Sequence, residues 1–365
     1  MHEPDPREEG RRALALCNVC NYCSGYCETF RSAARRRAFT DGDLIHLANL
    51  CHSCRACFHA CQYAPPHAFA VNLPRVLAEL RRQSYRDFAW PRPLAGAGWA
   101  ALPMAIVAPL LAALILPGDI LLSPHRGPGA FYAVAALSPM AWAVGLVLTW
   151  SMLALMISLR RFWRETRSGA HAPRLRSISR ALGDILSLRN LGGGGHGCND
   201  LDESFSWARR WLHHAVFYGF LSCLASTAVA AATHHLLGQP APYALTSPPV
   251  LLGAAGGVGI VIGCAGLASI KALADPRPSA PAARADGWAL LANLFLAASS
   301  GLVLLIFRET AAMGLLLLMH LGAVTGLLAS LPFGKFVHGP FRAAALLRAA
   351  MERASPPDDE AAKKS

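Results

Sequence analysis

Eight of the eleven cysteines stand in two runs that share one spacing. The first is Cys17-Asn18-Val19-Cys20-Asn21-Tyr22-Cys23-Ser24-Gly25-Tyr26-Cys27. The second is Cys51-His52-Ser53-Cys54-Arg55-Ala56-Cys57-Phe58-His59-Ala60-Cys61, and both read C-x2-C-x2-C-x3-C. A [4Fe–4S] cubane needs four thiolates around a small volume, and this spacing lets one short turn supply three of them. In two-cluster ferredoxins the fourth cysteine of each run serves the neighbouring cluster. The expectation is two [4Fe–4S] clusters, one on Cys17, Cys20, Cys23 and Cys61, the other on Cys51, Cys54, Cys57 and Cys27. Structural zinc uses four ligands in two pairs, which two runs of four do not match. Disulfides need an oxidising compartment, against which the topology below argues. Cluster motifs usually end in Cys-Pro, whereas Cys27 precedes Glu28 and Cys61 precedes Gln62. The local turn must differ, while the ligand count stands.

Histidines form the second group of metal-competent side chains. Ionisable groups inside membrane spans are costly and point to function. His213 and His214 open the third of six apolar runs, His234 and His235 close it, His320 lies within the sixth, and His338 follows it. A b-type haem held between helices needs imidazoles facing each other at one depth. His214 and His234 are 20 residues apart, roughly 30 Å at the helical rise. His320 and His338 are 18 apart, about 27 Å if the chain stays helical. With the two runs antiparallel, His214 pairs in depth with His338, and His234 with His320, so one or two b haems fit. His213 and His214 diverge by about 100° on a helix, so one of them would ligate. His234 and His235 also read as interfacial side chains in contact with water. His2, His46, His52, His59, His67, His125 and His171 read as surface or loop residues.

The elements that must position these groups follow from composition. The 365 residues are 54% hydrophobic and 15% charged, too apolar for an ordinary soluble chain. The net charge of +12 lies between apolar runs, so nucleic acid is not the expected partner. The first residues are polar and show no apolar core of a cleavable leader. Apolar runs at about 98–117, 131–158, 213–236, 249–272, 287–307 and 311–331 each meet the ~20 residues that cross a bilayer, the first and last only just. Glycines at 253, 256, 257, 259, 263 and 266 suit close helix approach in the fourth run. The loops at about 118–130, 237–248 and 308–310 carry only Arg126 and Arg308, and the other basic residues fall on the opposite side. By the positive-inside rule both termini and the cysteine module are cytoplasmic, in a multi-pass inner-membrane protein.

The expected fold is all-α: a ferredoxin-like two-cluster module over 1–93, then a six-helix transmembrane bundle. Its parts are transmembrane helices 1–2 (94–158), a basic, Gly-rich loop (159–212), transmembrane helices 3–6 (213–340) and a tail (341–365). Thr40-Asp41-Gly42-Asp43 reads as the N-cap of a short helix delivering Cys51. Leu73 to Arg82 reads as an amphipathic helix. The run Arg189 to Asp200 lacks the Lys-Ser/Thr of a P-loop. It reads as a docking loop near a cluster or partner, or as a linker.

Three segments resemble the family of tricarballylate-utilisation protein B, also called citrate-utilisation protein B. They are Cys51 to His67, Arg210-Trp211-Leu212-His213-His214-Ala215-Val216-Phe217-Tyr218-Gly219-Phe220, and Arg308-Glu309-Thr310-Ala311-Ala312-Met313-Gly314. The same family forms the C-terminal half of a fused cobalamin-biosynthesis flavoprotein. The resemblance implies an electron shuttle with two [4Fe–4S] clusters and b haem. It would reoxidise the FAD of a partner tricarballylate dehydrogenase and deliver electrons toward quinone, without substrate chemistry of its own. Pro332-Phe333-Gly334-Lys335-Phe336-Val337-His338 is similar to the last haem-ligand segment of the membrane cytochrome b of respiratory nitrate reductases. There a second histidine lies 18 positions upstream, as His320 does; no histidine follows His213 or His214 by ten positions, as that family would have it. Arg31, Arg35, Arg36, Arg37 and the 160–180 loop suit an acidic flavoprotein face or anionic lipid. Two other functions fit the cysteines: a membrane-anchored iron–sulfur redox sensor without haem, and a cluster-assembly protein.

Overall fold

The computed structural model describes residues 5–99, 101–167 and 174–354. His2 and His171 lie outside the described residues, as do residues 355–365 of the tail. Described elements are all helical apart from one isolated bridge between Cys198 and Ser206. The cysteine module comprises α1 (Pro6–Cys20), α2 (Glu28–Ala33), α3 (Asp41–Leu50), α4 (Ala56–His59) and α5 (Leu73–Phe88).

Local sequence explains these ends. Asp5 caps α1, with a proline in its first turn. Thr40 accepts from Asp43 N at 3.2 Å, and Asp43 accepts from Thr40 N at 3.1 Å. This reciprocal capping box fixes the start of α3, and so where Cys51 emerges at its end. Asn72 caps α5, which runs six residues beyond the expected Arg82. Leu14, Leu44, Leu47, Leu50, Leu77 and Leu80 close the core of the module.

That core is shared with the rest of the chain. Phe162, near the end of α9 (Leu137–Glu165), stacks on Phe341 of α15 (His338–Arg353) at 4.6 Å between ring centroids, and both are fully buried in it. Arg36 joins Asp43 and Glu352 at 2.6 Å each. Arg36 is therefore committed to an internal ion network rather than to an exposed docking face.

The membrane half contains α6 (Ala101–Ile115), α7 (Gly118–Leu121), α8 (Ala130–Val134), α9, α10 (Leu175–Leu186), α11 (Ala208–Leu237), α12 (Pro248–Leu273), α13 (Pro281–Phe307) and α14 (Met313–Ser330). Five of these, α9 and α11 to α14, are long and apolar enough to cross a membrane. The chain is a membrane protein. The first apolar run is the exception among the six: α6 has 15 residues, carries Pro109 inside, and stops before α7, short of the ~20 a crossing takes. The second run breaks after Val134, so only α9 is long.

Close helix approach follows the glycines. A Cβ on Gly256 would lie 2.7 Å from Gly219 O, and one on Gly219 would lie 2.7 Å from Gly256 O. Neither position admits alanine, and α11 and α12 meet backbone to backbone there.

Candidate functional site

The two cysteine runs are interleaved by the fold. Cys17, Cys20, Cys23 and Cys61 line a cavity of about 280 Å³ walled by Leu16, Phe30, Tyr22, Tyr63 and Val71. Cys27, Cys51, Cys54 and Cys57 line a second, nearly filled cavity of about 20 Å³. Cys57 borders both, which places the quartets side by side. Each run supplies three cysteines to one group and its last to the other. Burial, and then mutual repulsion among the four sulfurs, pushes the Cys17 and Cys23 thiols up to about 12. The donor set therefore lacks a positive counter-charge. Among the described residues no three His, Cys, Asp or Glu side chains converge on a point that would hold one metal ion. The four cysteines of each group border a shared cavity instead.

The second quartet, here called proximal, faces the membrane helices. Its loop is clasped by three arginines from three elements. Arg81 of α5 donates to Ala48 O at 3.1 Å, Cys51 O at 2.7 Å and Ser53 Oγ at 2.9 Å. Arg209 of α11 donates to Ser53 O at 2.6 Å and His52 O at 3.0 Å. Arg342 of α15 donates to Asn49 O at 3.1 Å and Cys51 O at 2.7 Å. Buried carbonyls need such donors. Arginine suits the role because one planar fork reaches two acceptors.

The Gly-rich loop docks on the same quartet. A 3-10 turn over Arg189–Gly195 brings Gly193, at φ +40°, against Cys54: a Cβ there would lie 3.4 Å from the sulfur. Asn199 N donates to Cys54 O at 2.9 Å. Cys198 is buried with its sulfur donating to Leu191 O at 3.2 Å. Of the two expectations for this stretch, docking on the cysteine module is the one the structure displays.

Beyond the loop lies a third cavity, of about 210 Å³, between the proximal loop, the N-terminal ends of α11 and α13 and the C-terminal end of α12. His213 and His338 both line it, with ring centroids 6.3 Å apart and planes at 81°. His338 Nδ1 lies 2.6 Å from Lys335 O, leaving Nε2 free, and His213 Nδ1 is buried without a partner. Burial, then Arg342, His213 and Lys335, hold the His338 pKa well below the ordinary imidazole value. It is neutral, the form in which imidazole ligates metal.

The other candidates lie elsewhere. His214 stacks on Tyr218 at 5.9 Å and packs on Trp211. His234 sits against Tyr132 of α8 and His235. His320 packs on Gly301, its Nδ1 3.1 Å from Ser300 Oγ. A 3-10 turn, Lys335–Val337, breaks the chain between α14 and α15, so the His320–His338 spacing is not one continuous helix.

Of the histidines read as surface or loop residues, His46 departs from the expectation, and His52, in a loop as expected, is not an ordinary one. His46 is fully buried in the module core, and His52 lines the third cavity. Burial, with Arg342 next, depresses the His52 pKa strongly. Sequence reasoning also passed over Arg81, Arg209, Lys271, Gly287, Lys335 and Arg342. A buried arginine or lysine has no sequence signal beyond adjacency to an apolar run, which Arg209, Lys271, Lys335 and Arg342 do show.

Three findings come from comparison with known proteins. The family model described as citrate utilization protein B matches residues 93–359, and that described as the citrate utilization protein B Fer4-like domain matches residues 10–87. A relative from Escherichia coli called citrate utilization protein B is 40% identical over 361 residues, covering 96% of this chain and 93% of the relative. No solved structure matches the chain.

Proposed function

The chain belongs to the citrate utilization protein B family, and from that premise we propose that it is a membrane-bound electron-transfer protein. It takes electrons from a partner FAD-dependent dehydrogenase and passes them toward quinone. Cys17, Cys20, Cys23 and Cys61 would hold one [4Fe–4S] cluster, and Cys27, Cys51, Cys54 and Cys57 the other. Such clusters supply one-electron carriers between a two-electron flavin and the membrane. The residues fit them in number and kind: eight cysteines stand as two adjacent quartets, each with three from one run and one from the other.

His213 and His338 fit a b haem at the inner end of the bundle. Both rings border the same cavity, with centroids 6.3 Å apart, so they are the pair that would hold the haem iron through neutral imidazole nitrogens. His214, His234 and His320 are candidates for further ligation; His320 has a partner for Nδ1 in Ser300, as a ligating imidazole usually does. The termini and cysteine module lie on the cytoplasmic side of the inner membrane. The dehydrogenase acts on tricarballylate or a related acid.

The observation that carries this reading is continuity: distal quartet, proximal quartet and the His213–His338 cavity adjoin in sequence, through Cys57 and then through His52 and Ser53. The test is a dithionite-reduced minus air-oxidised optical spectrum of the anaerobically purified protein in detergent. A sharp b-type α band above a broad bleach is expected, lost on His213→Ala or His338→Ala. A broad bleach alone, from a haem-replete host, would remove haem and leave a membrane-anchored iron–sulfur protein, with sensing the better account.

A further inference from the structure

The third cavity carries more positive charge than its neighbours balance. Arg55, Arg81, Arg209, Arg284 and Arg342 line it together with Lys271 and Lys335, and the one carboxylate in its lining is Asp200. The arginines have protein acceptors. Arg55 donates to Asp200 O and Ser279 Oγ, Arg284 to Lys271 O, and the other three hold the proximal loop.

The lysines differ. A Cβ on Gly287 of α13 would lie 2.7 Å from Lys271 Nζ and 2.9 Å from Lys335 Nζ. The two lysine nitrogens thus converge over the bare face of one glycine, less than about 6 Å apart. Asp286, the acid bearing on Lys271, is taken by Arg82 at 2.7 Å. Among the described residues no carboxylate pairs with either lysine. Like charges brought together away from bulk water destabilise one another unless an anion joins them. The same cavity holds the His213–His338 pair, and Leu267, Ile270, Leu290 and Leu291 give it apolar walls. Its chemistry suits a flat apolar ligand with a metal at its centre and negative oxygens at its rim.

We propose that Lys271 and Lys335 bind a pair of oxyanion groups, which are the two propionate carboxylates of the haem. The assignment rests on the haem reading of His213 and His338. A lysine ammonium offers three donors to a carboxylate without demanding one plane, and Gly287 is the position that leaves room for both. A free dianion such as phosphate is the other source of the same chemistry.

The experiment compares wild type with K271M, K335M, the double variant and K335R, purified from a haem-replete host. Haem and iron per protein and the haem potential are measured on each. In the double variant haem content should fall severalfold. Residual haem should titrate at lower potential, a tenfold shift in its reduction equilibrium corresponding to 59 mV, because lost cations favour the oxidised form. Cluster iron should stay at the wild-type level, and K335R should recover haem. Full haem at unchanged potential in the double variant overturns the proposal while leaving the haem reading intact. If wild type holds no haem, the haem reading fails by itself, and thermal stability decides between the sources. A saturable rise in Tm with phosphate over chloride at matched ionic strength, absent in the double variant, identifies a free oxyanion in the same place. No such rise overturns the site.

Discussion

The two cysteine quartets share one ligand spacing and differ in almost everything around it. The distal group, Cys17, Cys20, Cys23 and Cys61, borders a cavity of about 280 Å³ with tyrosine, leucine and valine walls. The proximal group, Cys27, Cys51, Cys54 and Cys57, is nearly filled, roofed by the Gly193–Asn199 loop and clasped by Arg81, Arg209 and Arg342. Cations near an iron–sulfur site favour the reduced, more negative state, and hydrogen bonding and burial also set its potential. Identical ligands would thus be given unequal potentials by the groups around them. The proximal group is expected to be the better acceptor, which would direct electrons toward the membrane.

The largest test removes one group and spares the other. Cys54→Ala should abolish one of two cluster signals in low-temperature EPR and lower iron and sulfide by about half, with a loss of electron delivery greater than the ~10–100-fold typical of changing a residue that only hydrogen-bonds to a ligand. Loss of both signals would mean that the quartets do not assemble independently. Next comes Arg342→Gln. It should shift only the proximal potential, toward more negative values. It should also destabilise by about 1–3 kcal/mol, since Asn49 O and Cys51 O would lose a buried donor. Equal shifts in both signals would sink the contrast drawn between the groups.

Two smaller effects sharpen it. Gly193→Ala places a Cβ 3.4 Å from the Cys54 sulfur at a positive φ and should cost about 1–2 kcal/mol. Its spectral change should be confined to the proximal signal. Thr40→Ala removes the capping box of α3, which supports both groups through the shared core. About 1 kcal/mol of stability should be lost, with both potentials unmoved.

The frame common to both groups also predicts a pH dependence. His46 is fully buried, and burial, then Arg36 and Arg348, hold its pKa well below the usual value. Its folded form stays neutral while the unfolded chain takes up a proton below about pH 6.5. Stability should therefore fall as pH drops below that value, by up to about 1.4 kcal/mol per unit. His46→Leu should flatten this part of the denaturation profile; an unchanged slope would assign it to other groups.

Much of the architecture was legible in the residues. The cysteine spacing grouped the sulfurs by three plus one before any fold was known, because a short turn has few ways to point three side chains inward. Thr40 and Asp43 gave the start of α3, because a capping box is a contact between neighbours in sequence. Long apolar runs located α9 and α11 to α14. The runs also suggested a sixth crossing, but the first gives only 15 helical residues, with Pro109 inside them and a new helix starting after Pro117.

Residue types and their spacing set the local chemistry: two thiolate motifs, histidines in and beside apolar runs, and helices long enough to cross a bilayer. Tertiary structure alone decided which of these groups meet. His213 rather than His214 reaches His338, because helix rotation within the bundle chooses between neighbours about 100° apart. Arg81, Arg209 and Arg342 come from elements distant in sequence to one loop, and Lys271 and Lys335 converge on Gly287. Charge placed around a site in this way depends on distance through space, and the order of residues along the chain carries no record of it.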